Sequence, residues 1–388
     1  MNSIVLSVVL TLLIQAMVSM AVFTPPVLAP VAASALGLAN SSAGLSTAII
    51  YLGAALAAPV SAGFIARLGP LRTSQVCLLL VALGIASMAI GQPLVAAAGA
   101  LLIGFGYGPV TPSSSAILNE RSPPHLRAFI FSLKQTGVPV GGVLAGVLVP
   151  LLMHAVGWRA AALAVAAASI ALLVLVQGAR GAVDAGRDRS ATIRGMRVRD
   201  PLRMVWQHRD LRRMALASFA YSGIQMCLGS YLVVLLHDVA GFSVTAAGAA
   251  LSVAMTGGII GRIGWGIVCD RGVPPRVLLG SLGIAMSLLA FTMPLIGASW
   301  PWPAVLVLAF CFGATAVGWN GVHLSEIARV AQGQAAAATG GTLAITYTGV
   351  VFMPLLIWVA VALGLGYGTG FVLVGLITLS RGLSFFRR

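Results

Sequence analysis

Stretches of roughly twenty apolar residues follow one another from end to end of this chain, separated by short segments rich in arginine and proline. A hydrocarbon core about 30 Å thick takes about 20 such residues to cross as a helix, at about 1.5 Å per residue. A water-soluble chain with 59% hydrophobic and 8% charged residues would have to expose far more apolar surface than soluble proteins do. Membrane-spanning strands would give short segments of alternating polarity instead. The expectation is an all-α integral membrane protein.

Twelve transmembrane helices are expected, at about 4–33, 42–65, 74–91, 94–118, 128–154, 158–177, 214–237, 245–269, 277–298, 302–327, 335–360 and 366–383. The first is expected to be broken by Pro25, Pro26 and Pro30. It lacks a basic leader and a clear cleavage site, so it reads as a retained span. From Arg180 to Arg213 the character changes, with ten Arg and four Asp in a polar stretch. That gives a six-helix bundle at 1–179, a basic linker at 180–213 and a second six-helix bundle at 214–388.

The net charge of +15 could suggest nucleic acid. The arginines sit in the gaps between apolar runs, however, and membrane topology explains them better. With the N-terminus cytoplasmic, every Arg except Arg159 and Arg262 falls in a cytoplasmic loop, the linker or the tail. This places both termini in the cytoplasm and the chain in an inner (plasma) membrane, with lipid as its surroundings and no nucleic-acid partner.

The two halves repeat. Ala66-Arg67-Leu68-Gly69-Pro70-Leu71-Arg72 follows the second span, and Asp270-Arg271-Gly272-Val273-Pro274-Pro275-Arg276 follows the eighth. Arg67 and Arg72 have the same spacing as Arg271 and Arg276, at an offset of 204, and Glu120 is echoed by Glu326. Repeats of this kind suggest two pseudo-symmetric bundles with a site between them.

Two cations fall inside spans. Arg262 lies about 12 Å along a helix from Asp270, near mid-membrane, and Lys134, the one lysine, lies two turns in from Arg127. The eight carboxylates fall in the linker or at span ends. Buried cations so placed line water, lose a proton at the lysine, or await an anion. An arginine's planar fork suits a carboxylate. Arg262 could equally bond helix-end carbonyls, and Lys134 could extend toward the membrane face. Gln15, Gln135, Gln225 and Asn320 are costly to bury and are candidates to line a cavity. Trp319, Tyr347 and Tyr107 either pack or contact substrate. His323, near a span end, is expected to be solvated. Gly104, Gly106, Gly108, Gly137, Gly141, Gly142 and Gly146 are expected to allow close helix packing. Cys77, Cys227, Cys269 and Cys311 show no paired spacing and read as packing residues. No metal or nucleophile cluster is expected, so neither an enzyme nor a cofactor is indicated.

Twelve spans, a central linker, an internal repeat and the loop sequence together resemble the major facilitator superfamily of secondary transporters over the whole chain. In that family a Gly-x-x-x-Asp-Arg loop follows the second helix, with a weaker copy after the eighth. Here the intact copy is the second, Gly266-Ile267-Val268-Cys269-Asp270-Arg271, while Ala62 and Ala66 replace the Gly and Asp of the first. The resemblance implies alternating access, with Arg67, Gly69, Arg72, Gly266, Asp270, Arg271 and Arg276 as a conformational loop motif. Arg262 and Trp319-Asn320 resemble the eighth and tenth helices of monocarboxylate and oxalate/formate porters, which implies a carboxylate substrate. Ser132-Leu133-Lys134-Gln135-Thr136-Gly137-Val138-Pro139 resembles the fifth helix of cyanate-type permeases. No second cation stands on the first or eleventh span, where carboxylate porters often have one. The expected function is secondary transport of a small organic anion by a monomer, with a proton or counter-anion as coupling partner. Drug or metabolite efflux in the same fold is the alternative, although Ala100 stands near the expected Arg position and Gly137-Val138-Pro139 fits that motif loosely.

Overall fold

The computed structural model describes residues 3–35, 42–188, 190–191, 199–242 and 244–386. The middle of the expected linker, 192–198, and the last two arginines lie outside them. The described residues form helices and no strand. The first eight are α1 (Ser3–Ala35), α2 (Ser42–Leu68), α3 (Pro70–Met88), α4 (Pro93–Tyr107), α5 (Val110–Arg121), α6 (Arg127–Gln135), α7 (Gly137–Val156) and α8 (Trp158–Leu175). Two short helices, α9 (Arg180–Val183) and α10 (Arg199–Gln207), fall in the linker. The rest are α11 (Arg209–Asp238), α12 (Val244–Asp270), α13 (Pro275–Thr292), α14 (Trp302–Ala316), α15 (Asn320–Val330), α16 (Ala335–Ala362) and α17 (Gly366–Ser384).

Eleven segments among the described residues are long and apolar enough to cross a membrane. They correspond to the first eleven expected spans. The twelfth is α17, which opens on Gly-Tyr-Gly-Thr-Gly and carries Arg381 in its last turn, so its apolar content is diluted. The fourth, fifth and tenth spans each consist of two helices, α4/α5, α6/α7 and α14/α15. The first span is not broken as its prolines suggested: α1 is one continuous helix. Lipid offers no water to a released carbonyl, so a membrane helix keeps its ladder where side chains can help. Thr24 Oγ1 donates to the Met20 carbonyl at 2.8 Å, while the carbonyls that Pro25 and Pro26 leave without an i+4 donor are those of Ala21 and Val22.

The chain forms two compact units. One comprises Met1–Ser122, Lys134–Gln207 and Ala328–Ala344, the other Pro123–Leu133, His208–Ile327 and Ile345–Arg388. In the first, α1 packs along α7, and α4 lies against both α2 and α3. In the second, α12 packs on α14 and α13 on α17. Glycines set these contacts: a Cβ on Gly104 would meet the Ile50 carbonyl, one on Gly141 the Ala16 carbonyl, and one on Gly313 the Ala254 carbonyl. Gly106, Gly108 and Gly137 are closed in the same way. Gly146 faces open space and Gly142 meets only the Phe23 ring, at 3.4 Å, so these two do not serve close packing.

The beginning of the linker is built into the first unit. Asp184 is fully buried, and its carboxylate accepts the Leu71 N–H at 2.8 Å and the Arg72 N–H at 3.0 Å, at the start of α3. Those N–H groups open a helix and have no intrahelical acceptor, and the helix dipole favours an anion there. Burial pushes the Asp184 carboxyl above the usual carboxylate range, while the two N–H groups, Arg180 and Arg187 pull it back. Asp188 N–H donates to the Ala66 carbonyl and Arg67 Nη1 to the Ala191 carbonyl, extending the attachment.

Gly69 makes this possible. Its φ of 93° is left-handed, and a Cβ there would collide with the Asp184 carboxylate. Gly69→Ala is therefore expected to cost at least about 1–2 kcal/mol from the backbone alone, and Asp184→Ala to lower the unfolding temperature as well. Thermal unfolding of the purified variants in detergent checks both.

Candidate functional site

Lys134 is 1% exposed, at the last turn of α6. Its Nζ donates to Gln15 Oε1 of α1 at 2.7 Å and to Gln135 Oε1 at 2.9 Å. Thr111 Oγ1 of α5 donates to the same Gln15 oxygen at 3.2 Å, and Gln15 Nε2 reaches Ser19 Oγ at 3.3 Å. Thus Gln15, Lys134 and Gln135, selected separately in the sequence, form one buried cluster of the first unit. Lys134 does not extend to a membrane face. Nζ is thus held between two neutral amide oxygens.

Thr111 and Ser19 were not among the sequence candidates. The signal for Thr111 was present: Thr111-Pro112-Ser113-Ser114-Ser115 is a polar run within a span, and all five residues are buried.

In the second unit, polar groups gather where the tenth span breaks. α14 ends at Ala316 and α15 begins at Asn320. Helix C-termini leave carbonyls without intrahelical donors, and here three side chains supply them. Trp265 Nε1 donates to the Ala314 carbonyl at 2.7 Å, Trp319 Nε1 to Ala316 at 3.1 Å, and Arg262 Nε to Val317 at 3.0 Å. Arg262 is 1% exposed. Its positive charge also complements the negative end of the α14 dipole. The helix-end role considered for Arg262 is thus present in the structure. The two Nη atoms form the outer edge of its fork, which is the edge that takes a carboxylate end-on.

Around this break, Trp319 is fully buried, edge-on to Tyr221 at 5.5 Å and to His323 at 5.0 Å between ring centres. Asn320 Nδ2 donates to Gln225 Oε1 of α11 at 3.3 Å. Tyr107 packs edge-on against Tyr51 in the first unit, with centroids 6.1 Å apart. Tyr347 is buried in α16. His323 departs from its expected solvation: it is 3% exposed, with Nε2 on the Met214 carbonyl at 3.1 Å. A carbonyl only accepts, so Nε2 carries the proton. Glu326, one turn on, is also buried.

The loop-motif residues take distinct places. Asp270 accepts the Ala128 N–H at 3.1 Å and the Phe129 N–H at 2.7 Å, at the start of α6. Gly266 lies against α6, where a Cβ would stand 3.0 Å from the Phe129 Cα. Arg276 forms an ion pair with Asp210, and Arg271 is exposed. In the first copy, Arg72 Nη1 bonds Gln75 Oε1 at 3.1 Å and Arg67 is exposed. Each copy therefore has a carboxylate on a helix start, Asp270 on α6 and Asp184 on α3. The second of these comes from the linker and was missed, since the first loop has Ala66 where Asp was expected.

The family profile of the Major Facilitator Superfamily matches residues 11–349. A benzoate transport protein of Acinetobacter baylyi is 24% identical over 260 residues, which is 59% of this chain and 54% of that protein. The match thus spans about half the length of that relative. Among solved structures, the Escherichia coli fucose:proton symporter FucP superposes with a TM-score of 0.75 over 100% of both chains at 18% identity. The human organic anion transporter TETRAN does so with a TM-score of 0.73 over 99% of both chains at 19% identity. At such identities the structural likeness establishes the fold, and the profile establishes the lineage: this chain is a multi-pass membrane protein and belongs to the Major Facilitator Superfamily.

Proposed function

We propose that the transported solute is a small organic anion, a carboxylate, moved by alternating access. The observation that carries this reading is Lys134, 1% exposed and solvated by the amide oxygens of Gln15 and Gln135. Keeping an ammonium charged inside a bilayer is costly, and an anionic solute offsets that cost. Arg262 gives the second unit a buried cation of its own, with Nε fixed by the Val317 carbonyl so that the fork has one orientation. Two of the similar proteins, the benzoate transport protein and the human organic anion transporter, carry solutes of this class. In this reading Gln15, Gln135, Gln225 and Asn320 orient polar parts of the solute, and Trp319 supports Arg262 from within the packed core.

Asp270 has the mechanical role. It holds the start of α6 through two charge-assisted hydrogen bonds, each worth about 1.5–3 kcal/mol. A contact of that size shifts a conformational equilibrium by roughly ten- to a hundredfold when it exists in one state only.

Benzoate uptake into proteoliposomes, with thermal shift on the same preparations, tests these roles. Arg262→Lys keeps a charge and loses the fork, and is expected to lower kcat/KM at least about tenfold. If it lowers the unfolding temperature and leaves KM alone, Arg262 braces the helix end and nothing more. Lys134→Gln is expected to abolish stabilisation by benzoate. Stabilisation of that variant by benzoate to the wild-type extent removes Lys134 from the site. Asp270→Asn is expected to slow turnover several-fold with ligand affinity retained, and weakened binding at normal turnover contradicts the mechanical role.

A further inference from the structure

On the outside of the first unit, α2 and α3 diverge over α4 and leave an open groove of about 270 Å³. Leu56, Val60 and Phe64 of α2 and Val76 and Leu80 of α3 form its walls, and Phe105 of α4 is in its floor. Leu56, Phe64 and Val76 are 48%, 38% and 39% exposed, so the groove opens on the surface of three membrane-spanning segments. Its one polar lining residue, Thr73, turns its hydroxyl to the Gly69 carbonyl at 2.9 Å. Nothing in the groove can orient a polar solute.

The two ends of the groove differ. From Leu56 to Leu68 it follows α2 for about 18 Å at about 1.5 Å per residue. One leaflet of a hydrocarbon core about 30 Å thick is about 15 Å deep. The groove therefore runs for the depth of a single leaflet and ends at the Gly69 turn, where Leu68 and Thr73 line it. Arg67 immediately precedes Leu68, and Arg72 immediately precedes Thr73. Arg67 is exposed and Arg72 half-buried. Asp184, beside the same turn, is buried with its oxygens on the Leu71 and Arg72 N–H groups. Asp188, whose N–H bonds the Ala66 carbonyl, is exposed with its carboxylate on Ser190, and against this one acid Arg67, Arg72 and Arg187 leave the outer surface of the mouth net basic.

We propose that this groove is a lipid site, which seats one acyl chain of an anionic phospholipid of the leaflet at the Gly69 turn, with Arg67 and Arg72 holding the headgroup phosphate. The chain length that fits one leaflet and the cationic mouth at the headgroup level select a phospholipid over a soluble apolar ligand. Basic groups at a membrane surface attract anionic lipid, and guanidinium groups bind phosphate through paired donors.

Native mass spectrometry of the purified full chain, released from micelles containing equal phosphatidylglycerol and phosphatidylethanolamine of the same chains, tests the proposal. The wild type is expected to retain one tightly held phosphatidylglycerol, preferred roughly tenfold. Val60→Trp fills the groove and is expected to lose that lipid. Arg67→Gln with Arg72→Gln is expected to keep a bound lipid and lose the preference. The wild-type competition needs no variant. Equal retention of the two phospholipids by the wild type, displacement of phosphatidylglycerol by equimolar oleate, or undiminished retention in a folded Val60→Trp variant overturns it.

Discussion

A carbonyl at the end of a helix inside lipid must find its donor within the protein, because no water is there to supply one. The break in the tenth span meets this demand with Trp265, Trp319 and Arg262, three N–H donors on the carbonyls of Ala314, Ala316 and Val317. Much of the second unit follows from it. Trp319 turns inward to reach Ala316, which brings its ring against Tyr221 and His323. Asn320, the first residue of α15, is thereby placed at hydrogen-bonding distance of Gln225. Arg262, which the sequence singled out as a cation inside a span, is also a donor that backbone chemistry requires here.

The first unit solves a related problem at helix starts. An exposed N-terminus can use water, but the start of α3 is covered by linker backbone, and a buried carboxylate takes its place. The second unit does the same for α6 with Asp270. The internal repeat thus preserves a physical arrangement, an anion on a helix dipole, where it has not preserved the residue. Ala66 cannot provide the acid, and the chain brings Asp184 from 118 positions later to the turn made by Gly69.

Hydrophobic run length made the spans legible in the sequence, since lipid imposes one length scale on every crossing helix. It did not mark the breaks at Gly108–Pro109, Thr136 and Val317–Trp319, because each broken span still holds an apolar run as long as those of the unbroken spans. It also misjudged α1, whose prolines are absorbed by the ladder. Charge scarcity singled out Lys134 and Arg262, and amide cost singled out Gln15 and Gln135. Proximity to a span end was the wrong guide for His323, which neighbouring helices bury. Asp184 escaped notice because a linker looks polar throughout, and nothing local distinguishes the one acid that folds inward.

The nine residues of α6 join two of these themes. Asp270 grips the helix by its first N–H groups, and Lys134 stands in its last turn. A helix this short is stiff, with about 1.5 Å between successive residues and no break inside it. About 9 Å of unbroken helix therefore separates the first N–H that Asp270 holds from Lys134. α6 is thus a single strut between a capped start and a buried lysine, and whatever turns one end of it about the helix axis turns the other.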